Sequence, residues 1–322
     1  MDDQAEGGET HFWLSREGAP AIRLDQFLRQ CLPHLSRLEI QRAIADKFLR
    51  LNGRIARKGD RVNGGDRLVF VGPLDLLADA PPAAPQMEIP IIYEDQSILA
   101  VDKPAGVATH GFSGRDSATL ANFLVAHRPA VLHIGKSRWE PGLVHRLDIE
   151  TSGIVVIAKT QGAFDSLREQ FRRRQVKKIY LALVWGQPLD HGTVELALAH
   201  DRGDKRRMVA VRQVERSTGG RIWRAITHFR VIASAHGTSL LEVEMETGVT
   251  HQIRVHLSAN GYPIVGDALY GADYPETLGL TRHFLHAHRL SLRHPVTGNP
   301  LNLVAELPVE LREILRRIEM PV

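Results

Sequence analysis

His145-Arg146-Leu147-Asp148-Ile149-Glu150-Thr151-Ser152-Gly153 sets Asp148 after a bulky apolar residue and ahead of a Thr-Ser-Gly turn, with Arg146 two positions before it. The apolar run Ile154-Val155-Val156-Ile157-Ala158 follows at once and has the composition of a buried strand. An Asp at the mouth of such a strand is held in one place. A fixed carboxylate can serve as nucleophile, general base or metal ligand. The plainer reading is a turn Asp that caps its own loop, because Asp and Ser are ordinary turn residues. His283, His286 and His288 form a second candidate group, for a metal-dependent hydrolase. No fourth ligand is evident near them, and there is no His-Glu-x-x-His.

The elements that must position these residues are legible from periodicity. Leu24, Phe27, Leu28, Cys31 and Leu32 follow helical spacing. A second helix is expected from Ser36, with Glu39 completing a capping box. Phe48-Leu49-Arg50-Leu51 runs into Asn52-Gly53, a hairpin signal, and Gly64-Gly65-Asp66 leads into a strand over 67–71. Further along, strands are expected at 97–101, 176–185 and 240–246, and helices at 117–128, 161–174 and 250–258. The stretch 176–185 is apolar on both faces after its lysines, as a central strand would be. Helices and strands alternate without a regular βαβ rhythm, which favours α+β over a doubly wound sheet.

At 322 residues the chain has room for about two domains. We expect a disordered lead-in over 1–19, a small domain over 20–72, a linker over 73–90 carrying five prolines, and a large domain over 91–322. Met1–Thr10 is acidic and lacks the basic start and apolar core of a secretory signal. No apolar stretch approaches the ~20 residues of a membrane span. Cys31 is the single cysteine, so no intrachain disulfide can form, which fits a cytoplasmic setting. A monomer is the default expectation.

Net charge is +4, but residues 23–67 hold eleven Lys or Arg against five acids, a local +6 that leaves −2 for the rest. Further basic runs lie at 168–178 and 202–216. Such clustering points to a polyanion partner; the competing reading is a set of solvated helix faces.

Residues 20–72 resemble the S4 RNA-binding domain, through Arg23-Leu24-Asp25, Ser36-Arg37, Asn52-Gly53 and Gly65-Asp66. Lys47-Phe48 departs from it, since the family usually has Gly before the hairpin strand. The rest resembles the RNA pseudouridine synthases of the large-subunit rRNA type, the RluA-like group. The matching segments are Lys103-Pro104-Ala105-Gly106; the Asp148 segment; Val176-Lys177-Lys178-Ile179-Tyr180 and the apolar residues after it; and Thr247-Gly248 with Thr250-His251-Gln252-Ile253-Arg254-Val255-His256-Leu257, followed by Gly266-Asp267. The resemblance implies a mixed antiparallel-sheet catalytic domain that isomerises uridine to pseudouridine within RNA, in 23S rRNA rather than tRNA, with no cofactor and no metal. It implies catalytic roles for Asp148, Tyr180 and Arg254: an Asp nucleophile or base, an aromatic that stacks on the target base and can relay a proton, and a cation paired with the Asp. It also implies RNA contacts by Arg146, Arg37, Arg42 and Arg50. One departure stands beside the last motif: Val249 occupies a position where the family usually has Arg. That loss keeps open a second reading, an RNA-binding or ribosome-assembly protein of the same fold without turnover.

Overall fold

Apolar spacing at 24, 27, 28 and 32 closes into a helix because those side chains share one face and bury together. The computed structural model describes residues 11–321 apart from 34, 36, 79, 112–115, 212–219 and 275. The chain divides into two units at the Ala83–Ala84 boundary.

The first unit runs β1 (His11–Leu14), β2 (Ile22–Arg23), α1 (Leu24–Cys31), α2 (Arg37–Ala45), β3 (Leu49–Leu51), β4 (Arg54–Ile55), β5 (Arg61–Val62) and β6 (Arg67–Phe70). A sheet in the order β1-β6-β3-β4 closes a core of Leu24, Leu28, Ile40, Leu49, Leu68 and Phe70. Asn52 and Gly53 both take positive φ, as the hairpin signal requires. Ser36, the expected cap of α2, lies outside the described residues. Lys47 adopts φ 61, the left-handed conformation that glycine enters freely. The Arg50 guanidinium, 2.8 Å from the Lys47 carbonyl, donates to it and braces that turn. The expected lead-in over 1–19 is corrected at its end: His11–Leu14 pairs antiparallel with β6, and Trp13 packs against the core while Arg67 lies over the Phe12 ring. The Pro-rich stretch is likewise not loose throughout. Leu74–Leu77 forms a 3-10 turn whose leucines pack on the first core.

The second unit continues with β7 (Ile91–Glu94), β8 (Ile98–Lys103), α3 (Leu120–His127), β9 (Ser152–Ala158), α4 (Gln161–Arg172), β10 (Lys177–Trp185), β11 (His191–Glu195), β12 (Ala197–His200), β13 (Met208–Val211), β14 (Ile222–Trp223), β15 (Ile226–Ala235), β16 (Thr238–Met245), α5 (Gln252–Ala259), β17 (Leu285–Arg293), β18 (Pro300–Val304) and α6 (Val309–Arg317). Its main sheet follows the order β11-β15-β16-β10-β17-β9-β8-β7, with β18 beside β17. The architecture is α+β, as the sequence led us to expect. The sheet is antiparallel except where β9 runs parallel to β17, through Ser152 and Gly153 against His286 and Ala287.

Alternation explains why the runs 98–101 of β8 and 154–158 of β9 are apolar on both faces. Leu99, Val101, Val155 and Ile157 join one core with Leu120 and Leu124 of α3. Ile98, Ala100, Ile154, Val156 and Ala158 join another with Ala163, Phe164 and Leu167 of α4. Strand β10 sits between β16 and β17, the central place its two-sided apolarity implied. Its pairing with β17 skips His288 between Arg289 and Ala287, a bulge opposite Ile179 and Tyr180. Bulges of this kind re-aim a side chain, and Tyr180 is the one placed here.

The β9–β17 junction leaves no room at Gly153. Its φ is +116, and an added Cβ would meet the Ala287 carbonyl oxygen at 2.3 Å. Gly153→Ala should therefore cost about 3 kcal/mol or more of unfolding free energy, strain and clash together. Denaturant unfolding of the two proteins checks this.

Candidate active site

The segment 147–151 is an irregular loop, so its backbone polar groups need partners from elsewhere. Every carbonyl from Leu147 to Glu150 has one. Thr109 Oγ1 donates to Leu147 O at 2.9 Å and accepts the Leu147 N–H at 3.1 Å. The Thr151 N–H closes on Asp148 O, and the Gly106 N–H reaches Ile149 O. Lys103 Nζ also donates to Ile149 O, at 3.1 Å, and to the carbonyls of Pro104 and Val107. Arg282 Nη1 donates to Glu150 O at 3.2 Å, and its Nη2 holds Glu310 at 2.7 Å. Lys103 is fully buried, and burial pulls its ammonium down to about 7. Its place is structural, anchoring the turn to the loop.

Asp148 emerges from this loop half-buried beside an open cleft. Arg146, Tyr180, Val249, His251, Gln252 and Arg254 line the cleft with it. Arg254 Nη1 lies 3.4 Å from Asp148 Oδ2, and His251 Nε2 lies 3.8 Å from the same oxygen. Among the described residues both contacts are recorded at Oδ2, and no hydrogen bond is recorded at Oδ1. The sequence reading paired Arg254 with Asp148, but the closer partner is Asp267. Arg254 Nε and Nη2 grip its two oxygens at 2.7 and 2.9 Å. Burial opposes the Arg254 charge, yet the hydrogen bonds and charge of Asp267 outweigh it and hold the guanidinium above its ordinary value. Asp267 is depressed in the same way, with burial overcome by Arg254.

Helix α5, which carries Arg254, starts without a side-chain cap, on His251 in a left-handed conformation (φ 55). Gln252 takes over the work of ordering that end. Its Oε1 accepts from the Thr247 hydroxyl at 2.8 Å and the Val249 N–H at 3.1 Å; its Nε2 donates to Ile226 O and Thr227 Oγ1. His256, fully buried, donates from Nε2 to Leu196 O at 3.0 Å, so its Nδ1 accepts from the Thr227 hydroxyl at 2.9 Å. Val249 packs against a small cluster of Leu198, Met208, Val255 and Tyr270. An apolar side chain thus fills the position where the family motif carries Arg.

Tyr180 is buried in the core that backs the cleft, and burial together with the Asp148 charge raises its phenol above the usual range. Arg146 is exposed, its Nη1 3.4 Å from His110 Nε2. Arg37 and Arg42 stand exposed on α2, whereas Arg50 is occupied with its own turn. The basic run at 168–178 is no open stripe: Arg172 and Arg173 pair with Glu169, Lys177 with Glu244, and Lys178 donates to Thr247 O. The histidines of the metal reading are committed to the fold. His283 bonds Thr151 Oγ1, His286 bonds Ser152 Oγ and Ala305 O, and His288 bonds Ala305 O. Asp267 and Tyr270 carry no assigned role in the sequence motifs. The Gly266-Asp267 pair was a signal for the first, because Gly266 has φ +77 and closes a turn against Arg282.

This fold and cleft have counterparts. A family model described as RNA pseudouridylate synthase matches residues 97–259, and one for the S4 domain matches residues 22–68. An RNA pseudouridine synthase of Synechocystis sp. is 38% identical over 305 residues, covering 93% of this chain and 90% of that protein. Ribosomal large subunit pseudouridine synthase D of Pseudomonas aeruginosa is 35% identical over 304 residues, covering 91% of each. The structure of human RNA pseudouridylate synthase domain containing 4 superposes with a TM-score of 0.56 at 30% identity, over 72% of this chain and 94% of that one. The chain belongs to the RNA pseudouridylate synthase family, whose members are isomerases acting on RNA, and it carries an S4 domain.

His283 and His286 are buried, and burial pushes them down to about 3 and about 4. Their unfolded value is about 6.5. Between the two values the unfolded chain binds more protons, so their contribution is present above pH 6.5 and is lost as pH falls toward 4. These two groups together should lower the unfolding free energy by about 5 kcal/mol between pH 7 and pH 4.5. The fall should be smaller in a His286→Gln protein, measured by denaturant titration across that range.

Proposed function

We propose that the chain converts uridine to pseudouridine in large-subunit ribosomal RNA, using Asp148 as the reacting carboxylate and no cofactor. The observation that carries this is the convergence of Asp148, Tyr180 and Arg254 on one cleft, with Asp148 Oδ2 3.4 Å from Arg254 Nη1. The name of the Pseudomonas aeruginosa relative supports the large-subunit substrate. That substrate places the work in the cytoplasm.

The target uridine leaves its stack, at a cost of a few kcal/mol if it is paired. Tyr180 offers a π-face worth about 1–3 kcal/mol per stacked base. Asp148 then acts at the ribose–uracil centre. The N1–C1′ bond breaks, the uracil turns, and C5 bonds to C1′. Arg254, itself fixed by Asp267, keeps the carboxylate aimed. Arg146 at the cleft holds a phosphate or enters the space the base vacates. The S4 unit, residues 20–72, adds affinity through Arg37 and Arg42 on α2, with Arg50 shaping the neighbouring turn.

Asp148→Asn should lower tritium release from C5-tritiated uridine in unmodified 23S rRNA by about 10³-fold or more. RNA binding should be retained. Turnover at the wild-type rate would sink the mechanism. Replacing Arg37 and Arg42 together by Ala should weaken RNA binding and flatten its log–log salt dependence by about 0.7–0.9 for each phosphate no longer neutralised. An unchanged slope in filter-binding titrations would remove those two residues from the interface.

A further inference from the structure

Isomerisation leaves one proton unassigned. Once C5 has bonded to C1′, C5 still carries its hydrogen, and a base must take it. Five ionisable side chains line the cleft: Arg146, Asp148, Tyr180, His251 and Arg254. The two arginines have no acceptor to offer. Tyr180 is a phenol held protonated by burial and by the Asp148 charge. Asp148 is committed to the glycosidic centre. His251 is left, and its geometry suits the task.

The ring of His251 is fixed at one nitrogen and open at the other. Nδ1 lies 2.8 Å from the Tyr270 oxygen, which also accepts the Met208 N–H at 2.8 Å; in the tautomer protonated at Nδ1 the ring donates to that oxygen and Nε2 keeps its lone pair. The two rings meet edge-on at 5.6 Å. Nε2 points to the cleft, 3.8 Å from Asp148 Oδ2, too far to be spent on a direct hydrogen bond. The residue holds this pose from a left-handed backbone (φ 55) that side chains other than glycine adopt at a cost. No capping bond from its side chain to the helix accounts for that conformation.

We propose that His251 is a further catalytic residue, whose Nε2 takes the C5 proton of the uracil after the C5–C1′ bond has formed. This rests on the reading of the cleft given above. The step balances within the chain, the substrate and water. The C5–H electrons form the C5=C6 bond, the C6=N1 electrons move to N1, and N1 takes a proton from water, to which the imidazolium later returns its own. The resulting imidazolium donates from Nδ1 to the Tyr270 oxygen and from Nε2 toward Asp148. The charged and titratable groups facing His251 are Asp148, Arg254, Asp267, Arg146, Tyr270 and His283. Burial, with Asp148 opposing and Arg254 assisting, sets the imidazole below its ordinary value, so it is a free base at neutral pH.

The decisive variant is His251→Asn. Asn tolerates the left-handed backbone and places an amide where Nδ1 meets Tyr270, while removing Nε2. Single-turnover release of label from C5-tritiated 23S rRNA should fall by about 10²-fold or more. A primary isotope effect should appear with C5-deuterated uridine, and RNA binding should be unchanged. A rate within about threefold of wild type, or a slow variant without the isotope effect, overturns the role. Wild-type protein supplies a test that needs no variant: its C5 isotope effect should grow as pH is lowered from about 7.5 to about 5.5, and a constant effect overturns the proposal. Asp148→Asn runs alongside. Full turnover by that protein would bring down the reading of the cleft itself, whereas an inactive Asp148→Asn beside a normal His251→Asn brings down His251 alone.

Discussion

The loop at 147–151 is the constraint on which the rest depends. It has no regular secondary structure, yet each carbonyl from Leu147 to Glu150 is claimed by a donor from a different part of the chain or from the loop's own turn. Thr109 and Lys103 come from around the turn after β8, and Arg282 from the segment before β17. A buried unsatisfied carbonyl costs about 1–3 kcal/mol, so these donors make one loop conformation much better than its neighbours. The parallel contact between β9 and β17 completes the hold, with Ser152 Oγ donating to His286 and Gly153 flattened against Ala287. A carboxylate needs such rigidity if it is to meet a reacting centre without reorganising.

Charge in the cleft is distributed so that no ion is left alone. Arg254 is spent mainly on Asp267, whose side chain is fully buried, and only its remaining nitrogen reaches Asp148. An Arg bonded solely to Asp148 would bind that carboxylate tightly and blunt it. Shared with Asp267, the guanidinium aims one oxygen, Oδ2. Gln252 does comparable work without charge: four hydrogen bonds from one amide order the start of α5 and thereby fix where Arg254 stands.

Basic residues serve two different ends in the two units. On the second unit the run at 168–178 is offset in part, by Glu169 and Glu244, and two of its side chains, Arg168 and Lys178, donate to backbone carbonyls. On the first unit, Arg37 and Arg42 remain exposed on one short helix. Counting charge along the chain could not separate these cases, because the glutamates that offset the second run lie partly on β16, far away in sequence.

Local sequence determined what local physics controls. Helical apolar spacing placed α1, α3 and α4, continuous apolar runs placed β9 and β10, and Asn52-Gly53 set its hairpin. The Asp148 segment, Tyr180 and Arg254 were legible as one constellation because each sits in a long, specific motif. The Arg254–Asp267 grip, the His251–Tyr270 pair and the donors around the Asp148 loop were not. Nor was His11–Leu14, whose pairing depends on a strand distant in sequence. Hydrogen bonds between side chains and distant carbonyls leave no periodic trace in a sequence. They exist only once the sheet has brought β8, β9, β10, β17 and α5 together, and tertiary structure alone decides which oxygen of Asp148 meets Arg254.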